Sequence, residues 1–285
     1  MSLRLASPAV AAPEALPEIV ALLERVFPRD RPWAPDLEWQ YLRNPWGPAR
    51  YINAYADSGA LIAHYGLLPA PPLAEPPVAL AGTYLSLNVA ADPSATVPGL
   101  MVATTRALYR ALPSDGPTLV VGITNENSAM GFVRVLGFRS LGRLSLTAHA
   151  PGTWPTLDAP RALAVNAAHL AWRASRPGVA AYGDVRAGGL TVRLHHRGLP
   201  LDAVLSAGLE NDAVARLSLP RSSRLVPRLY AAFGGPVRGG LAVPERLRPS
   251  PLEYVFRVFG DASLTEALSR HLQTRRFEFL DFDVV

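Results

Sequence analysis

Apolar residues recur along the first half of the chain with the spacings typical of helices and of strands. Spacings of three and four residues predict helices over 17–27, 36–43, 99–112 and 128–136. Alternating or continuous apolar runs predict strands over 50–56, 61–67, 80–89, 118–123 and 139–148. A turn at 57–59 joins the first two strands as a hairpin. This order predicts a mixed α/β fold with a mostly antiparallel central sheet flanked by helices.

The second half carries a weaker version of the same alternation. A strand is predicted over 252–259, a helix over 264–272 and a closing strand over 276–285. In that last strand Asp281 and Asp283 fall on one face, which we interpret as a polar strand face rather than an acid/base or metal site. The proline-bearing stretch 151–160 is typical of a linker, so two domains are expected, 1–150 and 161–285.

Four landmarks of the first half return in the same order in the second. Trp39, Pro45, Tyr51 and Gly59 are matched by Trp172, Pro177, Tyr182 and Gly189. The offset drifts only from 133 to 130 residues, which favours a duplicated domain. Because the pattern occurs only twice, recurrence by chance is the alternative explanation to duplication.

Composition narrows the class of protein. Apolar residues make up 49% and charged residues 18%, the balance of a chain that buries a core. No run of eighteen apolar residues is present, and the opening segment lacks the apolar stretch of a secretory signal, so we expect a cytoplasmic protein without a membrane span. Cysteine is absent, which excludes disulfides, thiolate catalysis and Cys-ligated zinc, and no other metal-ligand spacing occurs.

The net charge of +5 comes from basic residues of a single type. All 28 basic residues are arginine, and they are scattered without forming a basic block. A nucleic-acid surface needs clustered charge, so the pattern favours a solvated Arg-rich exterior and no nucleic-acid partner.

Residues 120–138 carry the clearest local signal. An apolar strand runs directly into Asn125, Asn127 and Ser128, then into a helix that ends at Gly137. Asn and Ser side chains accept the unpaired N–H groups of a first helical turn, and glycine suits the end of a helix. The segment is therefore either a well-capped connection or a binding turn.

The segment resembles the cofactor-binding core of the GNAT N-acetyltransferases. Members of that family place an Asn-containing turn, a helix and a Leu-Gly-Phe triplet in this order, as Leu136-Gly137-Phe138 stands here. The resemblance covers about residues 15–148 well and the remainder loosely, as a degenerate second copy would. It implies acetyl-CoA as cofactor. Its pantetheine arm would be held by Asn125 or Asn127, by Ser128, and by the strand residues Leu87, Asn88 and Val89.

A second matching segment lies at 93–101, where the family has an Arg/Gln-x-x-Gly-x-Gly/Ala loop. Thr96 stands at the Arg/Gln place, Gly99 at the first glycine and Met101 at the second small residue, so only Gly99 is kept. Backbone N–H groups at a helix N-terminus attract a pyrophosphate, which implies contacts from Gly99, Leu100 and Met101. Pro98 has no N–H to donate, and a proline before a helix is also an ordinary helix start.

The resemblance implies direct transfer of an acetyl group to an amine of a small molecule or peptide. Many members protonate the leaving thiolate with a tyrosine, where this chain has Phe132 and Val133. Glu126 and His64 are the two candidate bases for the proton of the amine. Without a catalytic role, Glu126 would be an acid that stabilises the first turn of its helix, and His64 would be an ordinary strand residue. A non-catalytic GNAT-fold protein that binds a ligand or partner is therefore the alternative function.

An aromatic cluster at 39–46 completes the candidate chemistry. It contains Trp39, Tyr41 and Trp46, close to Asn44 and Pro45. In the resemblance this region lies where acceptors approach. A hydrophobic lid packed on the sheet is the preferred interpretation.

Overall fold

Two β-sheets covered by helices make up the part of the chain described by the computed structural model, residues 3–27, 32–113, 115–196, 199–222, 225–234, 237–244, 252–278 and 281. The helices are α1 (Leu16–Val26), α2 (Trp33–Tyr41), α3 (Leu100–Arg110), α4 (Glu126–Met130), α5 (Ala167–Ala174), α6 (Asn211–Arg216) and α7 (Thr265–Gln273). Helix α4 continues into one π-helical turn, Gly131–Val135, which Gly137 ends with a φ of +68°.

The first sheet contains eight strands within the described residues. They are β1 (Leu3–Leu5), β2 (Ala9–Val10), β3 (Arg50–Ala56), β4 (Leu61–Pro69), β5 (Gly82–Ala91), β6 (Thr118–Thr124), β7 (Arg139–Arg143) and β16 (Glu253–Phe259). Their order is β1-β3-β4-β5-β6-β16-β7, with β2 also on β3. Only β5 and β6 are parallel, and α3 forms the crossover between them.

The second sheet repeats this plan with seven strands among the described residues. They are β8 (Ser145–His149), β10 (Ala180–Asp184), β11 (Gly189–His196), β12 (Leu199–Ser206), β13 (Arg228–Phe233), β15 (Leu241–Ala242) and β17 (Phe277–Glu278). Their order is β10-β11-β12-β13-β8-β15, with β17 also on β13. Here β12 and β13 are the parallel pair, connected through α6, and β9 (Thr156–Leu157) pairs separately with β14 (Val237–Arg238).

The predicted fold class is confirmed, since helices flank mixed, mostly antiparallel sheets. The predicted hairpin forms with Gly59 at a φ of +82°, a conformation that glycine adopts without strain. Strand β4 runs to Pro69, two residues beyond its prediction, and α4 begins at Glu126, two residues before its own. Such shifts are usual where pairing and caps set the ends of elements.

The prediction of a single strand over 139–148 is wrong. The chain breaks at Leu144, so that β7 lies in the first sheet and β8 in the second. Gly142 has a φ of +120°, and the pairing with β16 shifts register beside it. The Leu144 N–H donates to the carbonyl of Leu252 at 2.9 Å, and its side chain is buried.

A strand from the far end of the chain fills the resulting gap. Strand β16 lies between β6 and β7 and pairs with β6 along its whole length, from Thr118 to Thr124. Strand β8, which follows β7 in sequence, pairs instead with β13 of the second sheet. The two halves of the sequence therefore exchange strands across the predicted linker. Strand β8 of the first half lies in the second sheet, and β16 of the second half lies in the first sheet.

The end of the chain differs from the predicted closing strand. Among the described residues of this end, Phe277–Glu278 pairs with β13, and Asp281 lies buried in a turn, its carboxylate accepting from the Glu278 N–H at 2.8 Å. Burial raises the pKa of Asp281 to about 7. Asp283 lies outside the described residues.

One apolar core joins the two sheets. It runs from α1 and α2 through the inner face of the first sheet, with Leu119, Val121 and Phe256, to Val192 and Leu205 of the second sheet. The opposite face of the first sheet packs separately against α3 and the π-helical turn that follows α4. Within the described residues, no helix has the length and apolarity to cross a membrane.

Two tryptophans make the same contact in both directions at the centre of this core. The Trp39 indole N–H donates to the Trp172 carbonyl at 2.8 Å, and the Trp172 indole N–H donates to the Trp39 carbonyl at 3.0 Å. Their rings stack with centroids 4.4 Å apart. A reciprocal contact is expected across a local two-fold axis. It joins the pair that the sequence offset of 133 residues had matched.

Replacing Trp172 by phenylalanine should lower the free energy of unfolding by about 2–4 kcal/mol, because a buried ring is truncated and the Trp39 carbonyl loses its donor. Trp46→Phe is the matched control, since Trp46 is only half-buried and its indole N–H reaches His169 at 3.2 Å. Urea unfolding measures both variants. Equal losses would contradict the central role of the Trp39–Trp172 pair.

Candidate functional site

Strands β5 and β6 diverge to form an open wedge, which we call the cleft. They pair only over Gly82–Leu85 and Thr118–Val121, although β5 continues to Ala91 and β6 to Thr124. Each strand is held by its other neighbour: β5 pairs with β4 as far as Ala91, and β6 pairs with β16. The cleft is therefore built into the sheet.

A β-bulge in the pairing of β4 with β5 lies along one wall of the cleft. Gly66 pairs with Leu87 and His64 with Ala90, so Tyr65 faces two residues, Asn88 and Val89. A bulge interrupts ladder pairing and re-aims the backbone. The predicted pantetheine-binding residues Leu87, Asn88 and Val89 thus lie on the cleft wall, while the side chain of Asn88 is outside what the structure describes.

Three hydroxyl groups meet where the cleft begins. The Tyr65 hydroxyl donates to Ser86 Oγ at 2.9 Å and lies 2.6 Å from the Tyr109 hydroxyl. Ser86 is the first residue of β5 beyond the paired segment. Gly122 lies opposite it, where an added Cβ would come within 3.2 Å of the Ser86 Cβ. Sequence patterns could not predict this hydroxyl cluster, because its members come from β4, β5 and α3.

The predicted phosphate loop opens α3 at one side of the cleft. Thr96 and Gly99 are exposed, and Gly99 has a φ of +68° immediately before the helix. The Leu100 side chain is buried among apolar residues and its N–H donates to the Val97 carbonyl at 3.3 Å, while Met101 is partly buried in the same cluster. The helix N-terminus thus presents backbone donors and a positive dipole end.

Hydrogen bonds and an ion pair of Asp92 stabilise the start of this loop. Its carboxylate accepts from the Ser94 N–H at 2.9 Å and the Ser94 hydroxyl at 2.6 Å, and Arg25 of α1 approaches it at 3.3 Å. These bonds, those of Ser94 first, lower the pKa of Asp92. The ion pair brings a cation to a loop that has no arginine of its own.

The turn at the other side of the cleft is a reciprocal helix cap. Asn125 Oδ1 accepts from the Ser128 N–H at 3.1 Å, and Ser128 Oγ accepts from the Asn125 N–H at 3.1 Å. The structural interpretation of these residues as a cap is confirmed. The side chains of Glu126 and Asn127 lie outside the described part of the structure.

Phe132 and Val133 follow on this helix. Phe132 is buried and packs edge-to-face on Phe138, with ring centroids 5.0 Å apart. Neither residue supplies a hydroxyl, as the sequence indicated. The nearby hydroxyls are those of Ser86, Tyr65 and Tyr109.

His64 is fully buried in a directional chain of hydrogen bonds. Its Nε2 lies 2.7 Å from the Tyr41 hydroxyl and its Nδ1 lies 2.7 Å from Asn53 Oδ1. The Asn53 amide nitrogen donates to Glu18 at 2.9 Å, so Asn53 Oδ1 must accept from His64. The proton is therefore on Nδ1, and Tyr41 donates to Nε2. We call Tyr41, His64, Asn53 and Glu18 the His64 chain.

The His64 chain runs from the strand backbone to the surface. Glu18 is exposed on α1, whereas the Tyr41 hydroxyl packs on Gly66 beside the bulge, where a Cβ would lie 2.2 Å from it. Burial lowers the pKa of His64 to about 3, so its ring is neutral at physiological pH. A proton could reach it only through its hydrogen-bonded neighbours.

The remaining aromatic residues pack between the two halves. Trp39 and Tyr41 are buried, and Trp46 contacts His169 of α5. The Asn44 amide donates to the Pro69 carbonyl at 2.6 Å, which fixes this segment to the end of β4.

Comparisons with known proteins identify the fold. No family model matches the sequence, and no curated protein resembles it. Among solved structures, a conserved protein of unknown function from Enterococcus faecalis, described as a probable N-acyltransferase, superposes with a TM-score of 0.56 at 11% identity, over 93% of this chain and 74% of that one. A GCN5-related N-acetyltransferase from Anabaena variabilis superposes with a TM-score of 0.56 at 11% identity, over 89% and 72%.

A third solved structure agrees with these two. A GCN5-related N-acetyltransferase from Kribbella flavida gives a TM-score of 0.53 at 11% identity, over 91% of this chain and 72% of that one. The chain therefore has the fold of the GCN5-related N-acetyltransferases, as the resemblance implied.

The neutral His64 should make stability depend on pH. Its folded pKa of about 3 lies below the ordinary value of 6.5, so its contribution is complete above about pH 6.5 and is lost as the pH falls towards 3. Between about pH 6 and pH 4, the free energy of unfolding of the wild type should fall relative to that of His64→Gln by about 1.4 kcal/mol per pH unit.

Chemical unfolding across this pH range measures the difference. His195→Gln is the control, because His195 is exposed on β11 and its removal should leave the wild-type slope in place. If the free energy of unfolding changed with pH in parallel for the wild type and His64→Gln, His64 would not be held neutral in the folded protein.

Proposed function

We propose that the cleft binds acetyl-CoA and transfers its acetyl group to an amine of a small molecule or peptide. The observation that carries this proposal is the divergence of β5 from β6 beside the β4 bulge. This wedge lies between the N-termini of α3 and α4. An elongated cofactor fits such a wedge, because one end can lie on helix N-terminal donors while its arm follows unpaired strand backbone.

The proposed cofactor contacts follow the walls of the cleft. The pantetheine arm lies along the backbone of Leu87, Asn88 and Val89, next to the turn containing Asn125, Asn127 and Ser128. The pyrophosphate lies at the start of α3, on the backbone N–H groups of Gly99 and Met101 beside Thr96, and it displaces the Val97 carbonyl from the N–H of Leu100. Because Pro98 has no N–H, these donors are fewer than the family pattern supplies, and Arg25 is the nearby cation.

The chemistry needs one base and one acid. The neutral amine nitrogen attacks the thioester carbon, a C–N bond forms and the C–S bond breaks, leaving a thiolate and an extra proton on nitrogen. We assign the proton donor for the thiolate to Ser86, whose hydroxyl accepts from Tyr65 and so has its own proton to give. Tyr65 and Tyr109 hold that hydroxyl and replenish its proton.

The base is assigned to Glu126 or His64. Glu126 begins α4 at the mouth of the cleft. His64 acts through Tyr41, because its ring is buried and the Tyr41 hydroxyl is its neighbour on the cleft side. Glu18 accepts from the Asn53 amide nitrogen at the surface end of the same chain, which keeps Asn53 Oδ1 directed at the His64 Nδ1–H and leaves Nε2 as the basic nitrogen facing Tyr41.

A second candidate function is ligand binding without turnover. Phe132 is buried where the family uses a tyrosine, and Pro98 removes one donor from the phosphate loop. In this case the cleft binds a CoA compound or another ligand and no acyl transfer follows.

Calorimetric titration with acetyl-CoA tests the cofactor proposal. Gly99→Glu should abolish binding, because a carboxylate then repels the pyrophosphate at the start of α3. Gly208→Glu is the matched control, since Gly208 is also exposed and has a φ of +66°, close to the +68° of Gly99, but follows β12 of the second sheet. Absence of binding to the wild type at millimolar acetyl-CoA would refute the proposal.

Release of free thiol in the presence of an amine panel separates the two functions. If the chain is a transferase, Ser86→Ala should lower kcat on the order of 10²-fold with little change in the KM for acetyl-CoA. Ser269→Ala, a buried serine on α7, is the control and should retain activity. Binding without thiol release from any amine would favour the non-catalytic function.

A further inference from the structure

A cavity of about 600 Å³ opens in the second half of the molecule, away from the cleft. Its lining includes Arg186, Arg221, Arg228 and Asp184, together with Gly152 and Thr153 of the segment predicted to be a linker. We call it the Arg228 cavity. Three guanidinium groups face one carboxylate, so these side chains carry two net positive charges.

The single carboxylate of this lining is already engaged. Asp184 Oδ1 accepts from the backbone N–H groups of Arg186 and Ala187 at 3.1 and 3.3 Å, and Oδ2 accepts from the Trp154 indole at 3.1 Å. It thereby caps a helical turn instead of pairing with an arginine. Among the described residues, Arg186, Arg221 and Arg228 make no ion pair with any carboxylate.

Arg228 is the most unusual group of the cavity, because it is 3% exposed and forms no ion pair with a carboxylate of the described residues. Asp202 lies opposite it on β12, but its carboxylate is bound to Arg193 at 2.5 Å and to the Ser222 hydroxyl. The Arg228 Nη1 donates to the Thr153 carbonyl at 2.7 Å, whereas its Nε has no hydrogen-bond partner within the described part of the chain. Burial lowers the pKa of this guanidinium, because the loss of water outweighs the opposing effect of the nearby Asp202 and Asp184 carboxylates.

The surrounding structure holds Arg228 in place. Its guanidinium lies over the Trp154 ring, 4.1 Å from the centroid. Trp154 in turn lies on the backbone of Gly189, where a Cβ would approach the ring to 2.1 Å. Only glycine at 189 leaves room for this stack, which holds Arg228 beside the wall formed by residues 151–153.

We propose that the Arg228 cavity binds a small-molecule phosphate monoester. The planar fork of arginine pairs with phosphate oxygens through parallel N–H bonds, and the two excess positive charges match a phosphate dianion. Arg228 contacts the phosphate from the buried end, and the exposed Arg186 and Arg221 complete the charge at the mouth. This site does not depend on acetyl-CoA binding in the cleft.

Isothermal titration calorimetry of the full chain with AMP, glucose 6-phosphate and inorganic phosphate tests the proposal. At least one monoester should bind, and Arg228→Gln and Arg221→Gln should each weaken its affinity about tenfold or more through loss of a charge-assisted bond. Arg216→Gln, an exposed arginine of α6 outside the cavity lining, should bind as the wild type does. Arg221 is exposed, so Arg221→Gln remains informative if Arg228→Gln fails to fold.

Two results would overturn the proposal. The first is the absence of heat from every phosphate compound at 10 mM, or an affinity unchanged in Arg221→Gln and in folded Arg228→Gln. The second is equal binding of sodium acetate or sulfate at matched ionic strength, which would indicate general screening of the positive charge. Gly99→Glu should retain monoester binding, so a failure of the cleft proposal is distinguishable from a failure of this one.

Discussion

The pairing of β6 with β16 is the constraint on which the rest of the structure depends. Strand β6 forms one wall of the cleft, and it can part from β5 only because its other edge is fully hydrogen-bonded to β16. Strand β16 comes from the last part of the chain, and its place beside β7 requires the bend at Leu144 that sends β8 into the second sheet. The candidate site in the first half is thus completed by residues more than a hundred positions away, as the 129-residue separation of Thr124 from Glu253 shows.

The central contact between Trp39 and Trp172 has a consequence for both candidate sites. It locks α2 and α5 together, and α2 also supplies Tyr41 to the His64 chain. Because buried aromatic packing and paired indole hydrogen bonds resist displacement, the first sheet keeps a fixed orientation relative to the second. The two halves that this reciprocal contact joins carry different candidate sites: one has the cleft with its hydroxyl cluster, the other the arginine-lined cavity.

The two sites also differ in how they would bind an anion. The cleft offers backbone donors at a helix N-terminus and one arginine that is already paired with Asp92. The Arg228 cavity offers side-chain guanidinium groups whose nearest carboxylates are engaged elsewhere. Backbone donors suit a diphosphate lying along the protein, whereas buried guanidinium suits a compact dianion.

The sequence by itself determined the types and approximate positions of most helices and strands of the first half, because periodic burial of one face is written locally in the order of residues. It also determined local backbone features: the Asn125–Ser128 cap, the glycines at 99 and 137, and the equivalence of Trp39 with Trp172. It predicted none of α5, α6 and β10–β13 in the second half. Only the tertiary structure decided which sheet β8 and β16 join, since every strand edge offers the same donors and acceptors and pairing partners are chosen by the whole fold. For the same reason the Ser86 hydroxyl cluster, the His64 chain and the Arg228 cavity were absent from the sequence prediction: each is assembled from side chains that are distant in sequence and meet only after the sheets pack.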